Sequence, residues 1–145
     1  MSELSTSTIS IDAPLESVRE ILFDLAGYPS WSTAFKSAEV KQSDDQGRAT
    51  SVKVSIDAGM MKDRVLLNYD WSQAPERLEF SLEEADLLTA MNGAYITKAI
   101  DADTTSVTYE LGVEVSMPIP AMMRTKAEKA TIDQALAQLK AHAEE

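Results

Sequence analysis

The sequence is poor in the residue types on which many enzyme active sites depend. It contains no cysteine, and its single histidine, His142, lies close to the C-terminus. The absence of cysteine excludes disulfides, thiolate nucleophiles and zinc–thiolate sites. A single histidine in this position excludes a multi-histidine metal site and a Ser-His-Asp triad. We therefore expect no metal and no other cofactor.

Basic residues are also scarce. The chain has 13 lysines and arginines against 24 aspartates and glutamates, which gives a net charge of −11. Nucleic-acid binding needs a basic surface that replaces the counterions of the phosphates, so this charge argues against it. The same charge argues against adsorption to anionic lipid. Its simplest interpretation is that it keeps the protein in solution.

Long hydrophobic segments are missing as well. No apolar run reaches the roughly 20 residues that span a bilayer. Residues 1–5 lack the basic stretch and the apolar core of a signal peptide. These absences predict a cytoplasmic protein without stable membrane insertion.

The remaining composition is that of an ordinary globular domain. The 145 residues, of which 44% are hydrophobic, fit a single domain over residues 1–145 with a substantial core. Hydrophobic periodicity predicts a strand, a helix, six strands and a long final helix, with at most one more helical turn at 28–31. The predicted ranges are 5–12, 14–26, 35–42, 48–57, 63–72, 77–83, 92–101, 105–117 and 120–143. This order is typical of an α+β fold in which a curved, seven-stranded antiparallel sheet wraps around the C-terminal helix, with a short helical pair after strand one.

The seventh predicted strand has the clearest alternation in the chain. Apolar side chains occupy every second position, namely Val107, Tyr109, Leu111, Val113, Val115 and Met117. Such a period of two predicts a strand with one buried face and one solvated face. For the sixth strand the pattern does not indicate which face points inward.

The methionines occupy unusual positions. The six internal ones are at 60, 61, 91, 117, 122 and 123. In a strand meander these positions fall at turns and joints on one side, whereas the turns on the other side (44–47, 73–76 and 101–104) are polar. Methionine is flexible and polarizable and suits surfaces that accept variable apolar shapes. We therefore expect one adaptable apolar end and one plain solvated end.

Several segments resemble a known superfamily. They are Ala13-Pro14-Leu15-Glu16-Ser17-Val18, Tyr28-Pro29-Ser30-Trp31, Lys36-Ser37-Ala38-Glu39-Val40 and Gly93-Ala94-Tyr95, followed by Thr104 to Leu111 and a closing helix. Over essentially its whole length the chain resembles the START/Bet v 1-like (SRPBCC) superfamily, in its polyketide cyclase/dehydrase and lipid-transport branch. The resemblance implies a helix-grip fold with an apolar cavity between the sheet and the C-terminal helix, its mouth ringed by alternate loops. It also implies binding of lipids, sterols, polyketides or quinones, with catalysis in a minority of members. No motif in this sequence matches a catalytic set of the aromatase/cyclase branch.

The C-terminal helix predicts where such a cavity would lie. At 100° per residue, one stripe with Glu128 at its edge contains Ala121, Thr125, Ile132, Leu136 and Leu139. Small residues near the mouth leave space, which predicts a cavity under Ala121 and Thr125. Met122 would border this buried stripe, and Met123 would point away from it. The alternative is a filled core, in which aromatic side chains from the sheet such as Tyr109 or Trp71 occupy the space.

The candidate ligand contacts come from the mouth segments, from the aromatic residues of the sheet and from the helix. They are Met60, Met61, Arg64, Tyr69, Trp71, Leu87, Leu88, Met91, Tyr95, Tyr109, Met122 and Thr125. Apolar side chains left in water forgo about 1.5–3 kcal/mol each, so those in 57–63 and 84–91 should cover a ligand, pack as an ordinary lid or contact a partner chain. The aromatic residues would either line a cavity wall or pack in the core with a hydrogen bond for each polar atom.

Charged residues near the mouth have two interpretations. The basic ones are Lys62, Arg64, Arg124 and Lys126. They could hold a carboxylate or phosphate head group, or they are solvated surface charges. Asp57, Asp63 and Glu128 have the chemistry of acid–base groups, but without a matched motif we interpret them as surface or rim carboxylates.

These observations support three functional hypotheses. The first is binding, with transport or sequestration, of a small apolar or amphipathic ligand such as a lipid, quinone, isoprenoid or polyketide-like molecule. The second is an aromatase/cyclase-type enzyme, in which an enclosed pocket folds a reactive chain. The third is an interaction module that uses the methionine-rich end. We prefer the first hypothesis. We expect the protein to be a monomer or a weak homodimer.

Overall fold

Seven antiparallel strands form one sheet, and a long C-terminal helix packs against it. The computed structural model describes residues 4–58, 61–116 and 119–145. In chain order the elements are β1 (Ser5–Ile11), α1 (Leu15–Phe23), a 3₁₀ helix (Leu25–Ser30), β2 (Phe35–Ser43), β3 (Ala49–Ala58), β4 (Met61–Asp70), β5 (Arg77–Ala85), β6 (Leu88–Asp101), β7 (Thr104–Val115) and α2 (Ala121–Ala143).

The strands are hydrogen-bonded in the order β1-β7-β6-β5-β4-β3-β2. Each neighbouring pair is antiparallel. This arrangement confirms the predicted meander, closed by the pairing of the first strand with the last. It also places the β3–β4 turn, the β5–β6 turn and the connection from β7 to α2 at the same end of the sheet.

The inward face of β6 is determined by its pairing with β7. Tyr95 lies directly opposite Tyr109, and Met91 lies opposite Val113. All four side chains are buried. Residues that face each other across an antiparallel pair point to the same side of the sheet, so the odd-numbered positions from 91 to 97 face inward. The alternation of β7 thus settles what the sequence of β6 alone left open.

Two strands extend farther toward this end than the sequence predicts. β5 continues to Ala85 and β6 begins at Leu88, so the connection between them is a tight turn. Leu88 and Met91, which were predicted to lie in a loop, are strand residues with 8% and 6% exposure. The predicted strands, 77–83 and 92–101, were too short at this end because the charged residues after 83 share no face with an apolar alternation, whereas a strand with one solvated face accepts charged side chains on that face.

The helix α2 packs against β1 and β7. Its buried residues are Glu128, Ile132, Ala135, Leu136 and Leu139. Two lysines tie its outer side to the edge strand, because Lys129 Nζ and Lys140 Nζ donate to the carbonyl oxygens of Thr6 and Ser10 at 2.9 and 3.0 Å. The far half of the helix therefore fills the space over the sheet with bulky side chains, as predicted.

The predicted stripe of α2 is wrong in the half near the mouth. Its first two residues, Ala121 and Thr125, are exposed, and Glu128 is the buried residue of this half. Glu128 is only 2% exposed. Its Oε1 accepts a hydrogen bond from Ser5 Oγ and its Oε2 accepts one from the backbone N–H of Val113, both at 2.7 Å. A buried glutamate is tolerated when both oxygens are hydrogen-bonded, and this compensation comes from strands that helical periodicity does not report.

Candidate functional site

A cavity of about 210 Å³ lies between the sheet and the first half of α2. Its apolar lining consists of Ala34, Phe35, Ile56, Leu87, Leu88, Met91, Leu111, Val113, Val115, Ile119, Met123 and Ala127. Its polar lining consists of Lys62, Asp63, Tyr109, Ser116, Arg124 and Thr131. The cavity therefore has an apolar interior, with charged groups contributed by β4 and by the first turn of α2.

Small side chains on α2 leave this space open. Ala127 and Thr131, one turn apart, face β7 across the cavity. The hydroxyl of Thr131 donates to the carbonyl oxygen of Ala127 at 2.9 Å, so its hydrogen-bonding needs are met within the helix. Beyond this pair the helix presents Ile132 and Leu136, which are buried and do not line the cavity. The change from small to bulky side chains thus bounds the cavity along the helix.

Exposed apolar side chains surround the mouth. Leu87, Ile119 and Met123 line the cavity and are nevertheless 59%, 38% and 48% exposed. They belong to the β5–β6 turn, to the connection before α2 and to the first turn of α2. Full burial of such side chains is worth about 1.5–3 kcal/mol each. The exposure of these side chains to water is therefore unfavourable as long as nothing covers them.

Asp63 organises one wall of the mouth. Its Oδ1 accepts from the backbone N–H groups of Arg64 and Asp86 at 2.8 and 3.2 Å. Its Oδ2 accepts from the N–H groups of Leu87 and Leu88 at 3.0 and 2.8 Å. One carboxyl group therefore holds the whole β5–β6 turn against β4. The sequence suggested a surface or rim carboxylate, and the structure adds this specific task.

Replacing Asp63 with asparagine should loosen the β5–β6 turn. The asparagine amide keeps one acceptor oxygen and turns an NH₂ group toward two backbone donors, so two hydrogen bonds are lost. We expect the amides of Leu87 and Leu88 to exchange with solvent on the order of tenfold faster, as measured by NMR hydrogen exchange. Asp86→Asn, which loses only the exposed pair of Asp86 Oδ2 with Arg64 Nε at 3.2 Å, is the control. Equal exchange rates in the two variants would contradict the assigned role of Asp63.

Of the aromatic candidates, Tyr109 lines the cavity, and the others pack elsewhere in the core. Tyr95 stacks on Tyr109 with ring centroids 4.2 Å apart. Tyr69 packs on Phe80 at 5.8 Å. Trp71 donates its indole N–H to the carbonyl oxygen of Ala49 at 2.7 Å. The structure therefore combines the two interpretations, since one of these aromatic residues faces the cavity and the remainder fill the core behind it.

Tyr109 is a hydrogen-bonding group rather than a base. Burial raises its pKa well above the usual value for tyrosine, even though the hydrogen bond with Tyr95 acts in the opposite direction. The pKa of Tyr95 is raised by burial first and then by the neighbouring tyrosines. Both phenols therefore stay protonated near neutral pH, and neither can take a proton from a bound molecule.

The other predicted contacts fall in different places. Met123 lines the cavity, whereas Met122 is 83% exposed and does not, which reverses the roles predicted for them. Thr125 is exposed, and Arg64 lies outside the cavity lining. Met60, Met117 and the side chain of Met61 lie outside the described part of the chain.

Several lining residues were missed by sequence reasoning, but their signal was present. Leu111, Val113 and Val115 have the same parity as Tyr109 on β7 and lie closer to the mouth, so alternation alone would have selected them. Ala127 and Thr131 lie outside the predicted stripe, so helical periodicity did not select them. Ala34 and Phe35, which precede and begin β2, carry no local pattern that indicates a cavity wall.

The acidic residues in the described ranges are not grouped as metal ligands. No cluster of three or more histidine, aspartate or glutamate side chains suited to a metal ion occurs in 4–58, 61–116 and 119–145. Within the same ranges, no helix has the length and apolar character needed to cross a membrane.

Comparison with known proteins places the fold and the family. Residues 4–144 match the family described as polyketide cyclase/dehydrase and lipid transport. The chain belongs to this family. None of the curated proteins matches its sequence. Among solved structures, a START superfamily protein from Mycobacterium smegmatis superposes with a TM-score of 0.93 at 20% identity, covering 99% of this chain and 98% of the other.

Two further solved structures have a similar fold. A protein from Thermus thermophilus has a TM-score of 0.78 at 21% identity, with coverage of 97% of this chain and 96% of the other. The Zhui aromatase/cyclase from a Streptomyces species has a TM-score of 0.75 at 16% identity, with coverage of 97% and 93%. At these identities the likeness establishes a common helix-grip fold, and the chemistry has to be argued from the side chains of this chain.

Proposed function

We propose that this protein binds a small apolar or amphipathic molecule in the cavity between the sheet and α2. The observation that carries the proposal is the apolar cavity of about 210 Å³ whose mouth is formed by exposed Leu87, Ile119 and Met123. An apolar pocket with a few polar groups is the usual form of a small-molecule site. A ligand would fill the cavity and remove the rim from water in a single step.

The family description supports this proposal in general terms. It names lipid transport beside polyketide cyclisation and dehydration, and each of these functions requires a cavity that accepts a largely apolar molecule. Transport or sequestration is the form of the function that fits the present lining better. Tyr109 is held protonated by burial, and Asp63 is occupied by backbone amides. Neither group is therefore suited to abstract a proton, as an aldol cyclisation would require.

Mass spectrometry under native conditions tests the proposal. The protein is isolated from its host without organic solvent and sprayed from a volatile buffer, and a bound molecule appears as an added mass that solvent extraction removes. In parallel, an apolar fluorescent probe should bind to the extracted protein and be displaced by the extract. Protein that carries no added mass and binds no probe would argue against a ligand-binding function.

A further inference from the structure

Arg124 is a partly buried cation in a largely apolar wall. It lies in the first turn of α2 and lines the cavity beside Met123 and Ala127. Among the ion pairs formed within 4–58, 61–116 and 119–145, none involves its guanidinium group. Moving a guanidinium group partly out of water without a counter-charge costs free energy. The site therefore favours a ligand that supplies an anion.

No acidic residue on the same helix neutralises Arg124. The first turn of α2 contains no acidic side chain. Glu128 follows four residues later, at a spacing that often pairs with arginine on a helix. Its two oxygens, however, are each 2.7 Å from other donors, Ser5 Oγ and the Val113 N–H. The positive charge of Arg124 is thus left to the cavity.

The other two charged residues of the lining, Lys62 and Asp63, differ in how freely they can act on a ligand. Lys62 Nζ is 4.0 Å from Asp57 Oδ2, and its side chain is 70% exposed. A pair this long and this exposed is weak, so the ammonium group can also attract an anion at the mouth. The carboxyl group of Asp63, in contrast, accepts hydrogen bonds from four backbone N–H groups. These donors offset the repulsion that Asp63 would exert on a bound anion.

We propose that the ligand is an amphipathic carboxylate whose head group binds Arg124 and whose apolar part enters the cavity. This inference rests on the proposed function and specifies the class of molecule that it serves. The planar guanidinium group matches a carboxylate with two parallel hydrogen bonds, and Lys62 adds a point charge from the opposite wall. The apolar part lies against Leu111 and Val113 and extends toward Tyr109.

The dimensions limit the length of the apolar part. The cavity, at about 210 Å³, is smaller than the roughly 300–1,000 Å³ pockets that enclose drug-sized ligands. A medium-length chain fits this space, and exposed Leu87 and Ile119 cover the part that remains at the mouth. The net charge of −11 repels anions at long range, so recognition depends on the local cations rather than on the overall field.

Matched ligand series test the inference by isothermal titration calorimetry. Straight-chain alkanoates of six to ten carbons are compared with alkanols of the same lengths, using wild type, Arg124→Gln, Arg124→Lys and Arg64→Gln. Arg64 is the control because it is an arginine near the mouth that does not line the cavity. Thermal unfolding of each variant verifies that the fold is retained.

We expect the best alkanoate to bind wild type about tenfold tighter than the alkanol of equal length. Arg124→Gln should remove this preference by weakening the alkanoate alone, Arg124→Lys should keep part of it, and Arg64→Gln should leave it unchanged. Equal affinity of wild type for both series would overturn the proposal that Arg124 recognises a carboxylate. A preference that survives in Arg124→Gln would overturn it as well. The ligand would then be a neutral apolar molecule. If neither series binds to wild type at any length, the straight-chain carboxylate is overturned, and the proposed function fails with it only if the native protein also carries no added mass and binds no apolar probe.

Discussion

Replacing Glu128 with alanine should lower the free energy of unfolding by about 2–4 kcal/mol. The substitution removes the acceptor for the backbone N–H of Val113 and for the hydroxyl of Ser5, both of which are 2.7 Å from the Glu128 oxygens. The hydroxyl can rotate toward another partner, but the N–H group is fixed by β7. A buried donor without a partner costs about 1–3 kcal/mol, and the space left by the side chain adds to this loss. Chemical denaturation measures the change.

Two further substitutions at this position separate hydrogen bonding from packing. Glu128→Gln keeps an acceptor oxygen for Val113, and its NH₂ group can donate to Ser5 Oγ, which accepts as readily as it donates. We expect its cost to stay below about 1.5 kcal/mol. Glu128→Leu fills the space but still leaves the Val113 N–H unpaired, so it should be nearly as destabilising as alanine. A leucine variant as stable as wild type would mean that the hydrogen bonds contribute little.

The position of Glu128 gives this contact a functional consequence. Among the described residues β1 pairs with β7 only as far as Leu111, so the N–H of Val113 points to a place beyond the last paired residue of β1. The Glu128 carboxyl group occupies this place and fixes the first half of α2 relative to a strand that lines the cavity. Loosening the contact should therefore weaken ligand binding as well as stability.

Replacing Ala127 with phenylalanine should weaken ligand binding about a hundredfold or more, with little effect on stability. Ala127 lines the cavity from α2, and a phenyl ring at this position would occupy much of the space that a ligand needs. Filling a cavity often stabilises a protein by about 0.5–2 kcal/mol, so the melting temperature should not fall. Titration with an apolar fluorescent probe, together with thermal unfolding, measures both effects.

Ala130→Phe is the matched control for this experiment. Ala130 lies on the same helix but is exposed, so its phenyl ring should point to solvent and leave probe binding unchanged. If Ala127→Phe proves too large for the fold, Ala127→Leu fills less space and should give a smaller loss of affinity in the same direction. Probe binding that is equal in Ala127→Phe and in wild type would place the ligand outside this cavity.

The errors of sequence reasoning cluster around polar side chains. Helical periodicity placed Glu128 only at the edge of a stripe that also contained Ala121 and Thr125. The actual stripe includes Glu128 because Ser5 and Val113, 123 and 15 residues away in the sequence, supply its donors.

The β5–β6 turn at the mouth shows the same limit, because local patterns do not report contacts with distant residues. The sequence predicted apolar residues in a connection between β5 and β6, and Leu87 and Leu88 do lie there or directly after it. It could not predict that Asp63 on β4 would accept the N–H groups of these residues, because the contact joins positions 24 and 25 residues apart. The turn is consequently shorter than predicted, and Met91 becomes a buried strand residue instead of part of a flexible lid.

Local sequence patterns were enough to predict the architecture. A period of two in β3, β4, β5 and β7, a final helix after Pro118 and Pro120, and polar turns at one end were sufficient to predict the meander and its two unlike ends. Local patterns carry this information because backbone conformation and the sidedness of a strand repeat over a few residues. The exclusion of disulfides, thiolate nucleophiles and multi-histidine metal sites likewise came from composition alone.

Which side chains face the cavity depends on contacts between distant parts of the chain. Whether Arg124 lacks a partner, whether Asp63 is free and whether Tyr109 or Trp71 reaches the cavity depend on donors and rings brought together from distant parts of the chain. The physical reason is that a buried polar group is stable only with a partner in three dimensions, and periodicity contains no information about that partner. The apolar end predicted from the methionines is thereby specified as a cavity with Arg124 and Lys62 among its lining residues.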